Sequence, residues 1–306
     1  MSGGGASYFP GKPSRLSRLI RESVEDAEQK RLEGDVNSYL QRLLVKLGDR
    51  NTEKTQEYID AIAELLGEKH EIERFLFGGS VAKHTFVDGL SDVDALVVLD
   101  RAEYSKEEPK DVLRSFFDSL AGGLPRDEVA KTEMGRLAVT VTYSDGTEVQ
   151  LLPAIRKGTD VCIADANAER WMPTNPRAFQ KVLTRMNERL NRCLVPTIKL
   201  VKSVLSTLPD DIRPTGYHVE ALSVEATKGY RGPATLKSLL LHIMTAASAR
   251  VLRPIADVTS QSRSVDSYLG KTNSERRERL SHAIAAVGRR MNAAPSVGRW
   301  KEIIEG

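Results

Sequence analysis

Two aspartates, Asp92 and Asp94, open the apolar run VDALVVL within the segment FLFGGSVAKHTFVDGLSDVDALVVLD, residues 75–100. In a strand, successive side chains leave opposite faces, so both carboxylates project to one side while Val93, Ala95, Val97 and Leu99 take the other. A close pair of hard oxygen donors suits Mg²⁺. Upstream, Gly78, Gly79 and Ser80 follow the apolar Phe75–Phe77 and precede a short helical stretch. Glycine lets the backbone approach an anion, and a helix N-terminus presents free N–H groups to it. Lys83, one turn into that stretch, adds positive charge. Together these residues point to a metal-dependent site for a nucleotide triphosphate.

Phosphoryl and nucleotidyl transfer ask little covalent chemistry of a protein and much positioning and charge neutralisation. Two divalent ions roughly 3.5–4 Å apart can activate an attacking hydroxyl and stabilise a leaving pyrophosphate. Such a pair usually needs a third carboxylate from a neighbouring strand. The segment EVQLLPAI follows the hairpin turn Ser144-Asp145-Gly146, and its Glu148, Gln150 and Leu152 share one face by period two. An amide carbonyl can ligate Mg²⁺ but cannot neutralise charge or act as a base. Glu148 is therefore the expected third carboxylate, with Gln150 as a neighbouring site residue. Gly-Gly-Ser or Asp-Val-Asp alone is common; the ordered set of strand, glycine turn, paired aspartates, apolar strand and hairpin acid is far more specific.

The elements that must position these groups fall into two textures. Helical spacing covers residues 14–33 and 35–47, and Thr52 is a plausible N-cap for a helix running to Leu66. After the central stretch come a helix over 106–120 and strands over 128–133, 136–143, 147–152 and 160–164. From Trp171 the pattern reads as all helix: 176–192 capped by Thr174 or Asn175, then 194–208, 214–227, 233–251, 274–291 and 295–304. This predicts a sheet-bearing lobe over 1–170 and a helical lobe over 171–306, with the first helix able to span both.

The net charge of +3 and pI of about 8.7 are too mild to signal nucleic acid by themselves. The basic residues Lys12, Arg15, Arg18 and Arg21 read most simply as a solvated face. The two cysteines, Cys162 and Cys193, lack metal-binding spacing and suit a structural role in a reducing, cytoplasmic compartment. The N-terminal residues carry no apolar stretch of a secretory signal, and no run approaches the ~20 apolar residues of a membrane helix. His84, His218 and His242 are isolated and are assigned no catalytic role. Lys199 and Lys202, three apart on one helix face, would on their own be a solvated pair.

The ordered set resembles the nucleotidyltransferase superfamily that includes DNA polymerase beta. Within it, the chain is most similar to the oligoadenylate synthase and cyclic GMP-AMP synthase-like enzymes, whose bacterial members are the CD-NTases of CBASS anti-phage operons. FGGSVAKHTFVDGLSDVDALVVL looks like their phosphate loop and metal strand, EVQLLPAI like their third-carboxylate strand, IKLVKSVL and TGYHVEALSVEA like two helices of their second lobe, and PIADVTSQSRSVDSYLG like the loop near their base pocket. The resemblance implies an α+β fold, in which a polymerase-beta-like nucleotidyltransferase lobe with a mixed sheet faces a helical second lobe across a cleft. It implies two Mg²⁺ ions, with Mn²⁺ as a substitute, and nucleoside triphosphates joined into a cyclic or short linear oligonucleotide second messenger with release of pyrophosphate.

Carried over residue by residue, Gly78, Gly79 and Ser80 hold phosphate, and Asp92 and Asp94 hold metal. Lys202, with Lys199 one turn before it, matches the region of a lysine that reaches phosphates or base. Tyr217 matches an aromatic that stacks on a base, beside the alternative of an interlobe core aromatic. Ser260 falls in the base-pocket loop. Relatives carry aspartate where Gln150 stands here, which leaves two readings: Glu148 substitutes, or the second metal site is impaired. The competing functions are a template-independent RNA nucleotidyltransferase and a nucleotide-binding pseudoenzyme or sensor. Expected partners are the triphosphate substrates, a regulatory protein or nucleic-acid activator, and an effector reached through the product, with no membrane.

Overall fold

One strand organises the sheet. The computed structural model describes residues 15–48, 52–77, 83, 85, 93–100, 104, 106–165, 167–175, 177–259 and 262–305. In it, β5 (Glu148–Lys157) pairs along one edge in parallel with β2 (Val93–Leu99), from Val93↔Val149 to Leu99↔Ile155. Its other edge is shared. The first half pairs antiparallel with β4 (Val139–Tyr143) and the last residues with β6 (Asp160–Ala164). The sheet is completed by β1 (Ile72–Phe77) on β2, β3 (Val129–Met134) on β4, and β7 (Trp171–Thr174) on β6. Among the described residues only the β2–β5 pairing is parallel, so the sheet is mixed, as expected.

Period two decides which side of the sheet becomes core. Ala95, Val97, Leu99, Val149, Leu151 and Ile155 lie in one buried cluster with α2 (Thr52–Gly67) and α3 (Pro109–Gly123). Tyr58, Ile59, Ile62 and Leu66 of α2 and Val112, Leu113, Phe116 and Leu120 of α3 supply the helical side. The two helices approach closely where α3 ends: a β-carbon at Gly123 would overlap the Leu65 side chain. The opposite sheet face carries a smaller cluster of Leu96, Val98, Ala154 and Ile163, and beyond it the half-exposed Asp94, Glu148 and Gln150.

The second core is helical. It gathers α4 (Ala178–Arg189), α5 (Leu194–Ser206), α6 (Gly216–Ala226), α7 (Leu236–Arg250), α8 (Glu275–Asn292) and α9 (Val297–Glu305). The first two predicted helices are one, α1 (Arg15–Leu47). Its Val36, Tyr39, Leu40 and Leu43 pack into this helical core, Tyr39 donating to Glu305 Oε1 at 2.9 Å, whereas residues 21–31 are exposed on every face.

Two boundaries differ from the sequence reading. Residues 171–174 form β7 rather than helix, because Trp171 and its neighbours find an open edge on β6. Thr174 consequently ends a strand, and α4 starts after Arg177 rather than from a Thr174 or Asn175 cap.

Between α7 and α8, Asp266 and Arg277 form a fully buried pair at 2.7 Å. Arg277 also donates to the carbonyls of Val251, Asp266 and Gly270, closing the loop between α7 and α8. His218 of α6 lies against this pair, with Nδ1 2.7 Å from the Tyr268 hydroxyl and Nε2 3.7 Å from Asp266 Oδ2. Burial pushes its imidazole down from 6.5 to about 4; Asp266 opposes the shift, and Arg277 and Arg250 add to it. Between those two values the unfolded chain takes up a proton that the fold refuses, so stability falls as pH drops through that window. Thermal denaturation of the wild type is expected to weaken from pH 6.5 to pH 4.5, by at most about 1.4 kcal/mol per pH unit from this group. His218→Gln should flatten that fall; an unchanged pH slope in the variant would show that His218 is not its source.

Candidate functional site

The site lies at the entrance of the parallel pair β2–β5, on the face turned away from α2 and α3. The register puts Asp94 directly beside Gln150, and Gln150 beside Thr140 of β4. Residues adjacent in register share a face, about 4.8 Å apart. Glu148 stands one pleat nearer the start of β5, opposite Thr142, whose hydroxyl donates to Glu148 Oε1 at 3.4 Å. It is therefore a diagonal neighbour of Asp94, at about 7–8 Å between α-carbons, within reach of two carboxylates converging on an ion. Gln150, not Glu148, is the residue abreast of Asp94. Gly78, Gly79, Ser80, Asp92 and Ser260 lie outside the described residues.

The helical side brings two of the three sequence-predicted lysine positions together in an unforeseen way. Lys202 of α5 and Lys83, from the segment between β1 and β2, meet on a single carboxylate, Glu220 of α6. Lys202 Nζ lies 2.9 Å from Glu220 Oε1 and 3.0 Å from the Thr85 carbonyl. Lys83 pairs with Glu220 Oε2, and the Thr85 hydroxyl donates to Glu220 Oε1. Glu220 is 1% exposed, Thr85 0% and Lys202 6%. Burial by itself would raise the Glu220 carboxyl; Lys83 and Lys202 outweigh it and hold the group below its ordinary value. Burial lowers Lys202, with Glu220 opposing. Lys199 is half-buried and lowered by desolvation, and no carboxylate among the described residues pairs with it.

Asp94 feels the same cluster. Burial pushes its carboxyl up, Lys83 and Lys202 pull it down, and Glu220 pushes it up again. An acid in this environment gains from a nearby cation. Among the described residues no group of three acidic, histidine or cysteine side chains is preformed around a metal. The donors on this face, Asp94, Gln150 and Glu148, are all oxygen, the set that Mg²⁺ takes in preference to softer ions.

Tyr217, the first-turn aromatic of α6, is half-buried. Phe179 of α4 meets its ring edge-on with centroids 5.1 Å apart, and the Lys83 ammonium sits 4.8 Å from the Tyr217 centroid and 5.2 Å from that of Phe179. Its hydroxyl donates to Asp257 Oδ1 at 2.9 Å. Burial and that bond raise the phenol well above its usual range. Asp257 also receives Thr259 N and Oγ1 and Ser262 N and Oγ. The Thr259 carbonyl in turn accepts from Asn175 N, tying this loop to the end of β7.

Glu220, Thr85, Phe179 and Asp257 escaped the sequence reading. For Glu220 a signal was present: an acid in the otherwise apolar helix GYHVEALSVEA must be paired if it is buried. The sequence does not say with what. Of the histidines assigned no chemistry, His218 is a buried framework residue and His242 Nε2 lies 2.9 Å from the Ala226 carbonyl, while His84 lies outside the described residues. Cys162 and Cys193 are unpaired as thiols, Cys162 within the sheet core. No helix among the described residues is long and apolar enough to cross a membrane.

Comparison with curated protein sequences gave no significant match. Solved structures with the same fold include CdnC of E. coli MS115-1 in a CdnC:HORMA-deltaN complex, at 13% identity, TM-score 0.63, covering 89% of this chain and 98% of that one. CdnG, a CD-NTase of Bradyrhizobium diazoefficiens solved with GTP, aligns at 14% identity and TM-score 0.59 over 83% of this chain and 88% of its own. DncV, the cyclic AMP-GMP synthase of Vibrio cholerae solved with the linear intermediate 5' pppA(3',5')pG, aligns at 12% identity and TM-score 0.63 over 96% and 90%. The model of the SMODS family, the Second Messenger Oligonucleotide or Dinucleotide Synthetase domain, matches residues 33–187, from the helical core through the whole sheet and into α4. The chain therefore belongs to the SMODS family of second messenger oligonucleotide or dinucleotide synthetases.

Proposed function

We propose that the protein joins nucleoside triphosphates by attack of a ribose hydroxyl on an α-phosphate, releasing pyrophosphate and building a cyclic or short linear oligonucleotide messenger. The observation that carries this reading is the convergence of Asp94, Gln150 and Glu148 from β2 and β5 with Lys83, Lys202 and Tyr217. Acidic donors on one side, cations and an aromatic ring on the other, match the parts of a triphosphate: metal-bound phosphates and a base that can stack, a contact worth about 1–3 kcal/mol. Asp92, Asp94 and Glu148 would hold Mg²⁺ or Mn²⁺, whose chemistry is to activate the attacking hydroxyl and neutralise the leaving pyrophosphate. Gly78, Gly79, Ser80, Lys83 and Lys199 would serve the phosphates directly, Lys202 by its charge from its place on Glu220, and Tyr217 with Ser260 the base. A division into a sheet lobe over 1–170 and a helical lobe over 171–306, with the first helix able to span both, is part of the proposal; the two separate cores support two lobes, while α1 packs into the helical core and β7, at 171–174, extends the sheet.

The wider role we infer is anti-phage signalling in the cytoplasm through a downstream effector that reads the product. A regulatory protein partner is supported by the CdnC complex with HORMA, and a nucleic-acid activator remains part of the same proposal. One observation favours a second reading. The residue abreast of Asp94 is an amide, Gln150, which would suit a nucleotide sensor without turnover.

Incubation with all four labelled triphosphates and Mg²⁺ separates these readings. Pyrophosphate and an oligonucleotide, identified by mass spectrometry, are expected; binding without either product would favour the sensor. Asp94→Asn should lower turnover by roughly 10³-fold or more, the scale of removing one charge from a phosphoryl-transfer site. Activity equal to wild type in that variant would end the metal-site reading.

Glu148 and Gln150 divide in a second experiment. If Glu148 is the third carboxylate, Glu148→Gln should lower turnover by about 10²-fold or more, with the loss only partly recovered at higher Mg²⁺. Gln150→Asp, in the Glu148→Gln background, should restore part of it by placing a carboxylate abreast of Asp94. Full activity of Glu148→Gln would remove Glu148 from the site.

A further inference from the structure

Glu220 has no part in the chemistry above, yet it is the buried anion on which both lysines of the cleft converge. Its partners come from both cores: Lys83 and Thr85 belong to the segment joining β1 to β2, and Lys202 to α5 of the helical core. The two cations are held differently. Lys202, its side chain 5% exposed, is fixed between Glu220 Oε1 and the Thr85 carbonyl. Lys83, at 10%, has one carboxylate oxygen among the described residues and then the rings of Tyr217 and Phe179. Glu220 and Asp94 together face the two ammonium groups, and among the described residues Glu220 is the carboxylate that holds them by direct contact.

We propose that Glu220 is a positioning residue that holds Lys83 in reserve for the polyphosphate. In the nucleotide-free protein Glu220 carries both ammonium groups; when a triphosphate enters, Lys83 exchanges Glu220 Oε2 for a phosphate oxygen, and Lys202 keeps Glu220 Oε1 and Thr85. The proposal rests on the nucleotide-site reading of the cleft. A polyphosphate competes with the carboxylate for Lys83 because it carries more negative charge and because Lys83 has, among the described residues, no second acceptor to give up. The aromatic faces of Tyr217 and Phe179 stabilise the ammonium along the way. Lys202, with two acceptors in place, has no such freedom. Glu220 thereby competes with the nucleotide for Lys83 and at the same time fixes where Lys83 starts from.

The consequence is opposite in sign to that of an ordinary structural ion pair. Glu220→Gln keeps the shape of the side chain, removes the competing charge and makes the cleft more positive. Calorimetric titration without metal, using inorganic tripolyphosphate and, separately, ATP and GTP, should show that Glu220→Gln binds the polyphosphate about tenfold more tightly than wild type. Turnover in Mg²⁺ should fall in the same variant. The gain in affinity should vanish in Glu220→Gln/Lys83→Met. Equal or weaker binding by Glu220→Gln, or a gain that survives Lys83→Met, overturns the proposal. If wild type binds neither tripolyphosphate nor any of the four triphosphates, the nucleotide-site reading fails and this one with it. If wild type binds and Glu220→Gln is unchanged, only the role of Glu220 fails. A measurement on the unaltered protein stands independently of variant folding. Lysine side-chain NMR during a tripolyphosphate titration should move the Lys83 resonances and leave those of Lys202 in place; movement of both, or of Lys202 alone, overturns the exchange.

Discussion

A carboxylate 1% exposed to solvent, shared by two lysines from different parts of the chain, is the interaction on which the cleft depends. Removing one partner of a buried ion pair is strongly destabilising, because it strands the other charge away from water. Glu220, Lys202 and Thr85 are therefore obliged to stay together, and Lys83 can leave Glu220 only for another anion. These contacts tie Lys83 and Thr85, which lie between β1 and β2, to α5 and α6 of the helical core. The same constraint sets the electrostatic surroundings of Asp94. Its carboxyl is pushed up by burial and by Glu220, and drawn back by the two lysines.

The sheet supplies the other half of the geometry. β5 has partners on both edges over most of its length, and its parallel pairing with β2 fixes Gln150 abreast of Asp94. A slip of one residue would turn Asp94 into the apolar core beneath α3. The clusters on both faces of β2 guard against that slip: Ala95, Val97 and Leu99 on one, Leu96 and Val98 on the other. The acidic donors are thus held by packing well below them, on rigid strands rather than on loops. The aromatic side of the cleft is built differently. Tyr217 is held by a hydroxyl bond to Asp257, in a loop whose backbone folds around that one carboxylate and whose Thr259 is tied to the end of β7.

Membership of the SMODS family and the shared fold with CdnC, CdnG and DncV agree with the nucleotidyltransferase character first legible in the spacing of Asp92 and Asp94. Strand alternation alone was enough to divide Asp94 from Val97 and Leu99, and to put Glu148 and Gln150 on one face. The hairpin at Asp145 was equally legible: Gly146 adopts φ +84°, and Asp145 accepts from Thr147 N at 2.9 Å. Helix periodicity located α2 through α9 to within a few residues, since each buries one apolar stripe. β7 was missed because four residues, WMPT, carry no periodic signal and become a strand only where β6 offers an edge.

What the sequence by itself determined was local: which side chains share a face, where turns and helix caps fall, and that an oxygen-rich, glycine-led constellation should handle phosphate. Those follow from backbone geometry over a few residues. Only the tertiary structure decided that Gln150 rather than Glu148 stands abreast of Asp94, because register between strands is set by packing across both faces of the sheet. Only it decided that Lys83 and Lys202 share Glu220, and that Phe179 and Asp257 frame Tyr217. Those contacts join residues far apart in the chain, and their partners are chosen by the cost of burying an unpaired charge or hydroxyl, a cost that no single segment of the sequence displays.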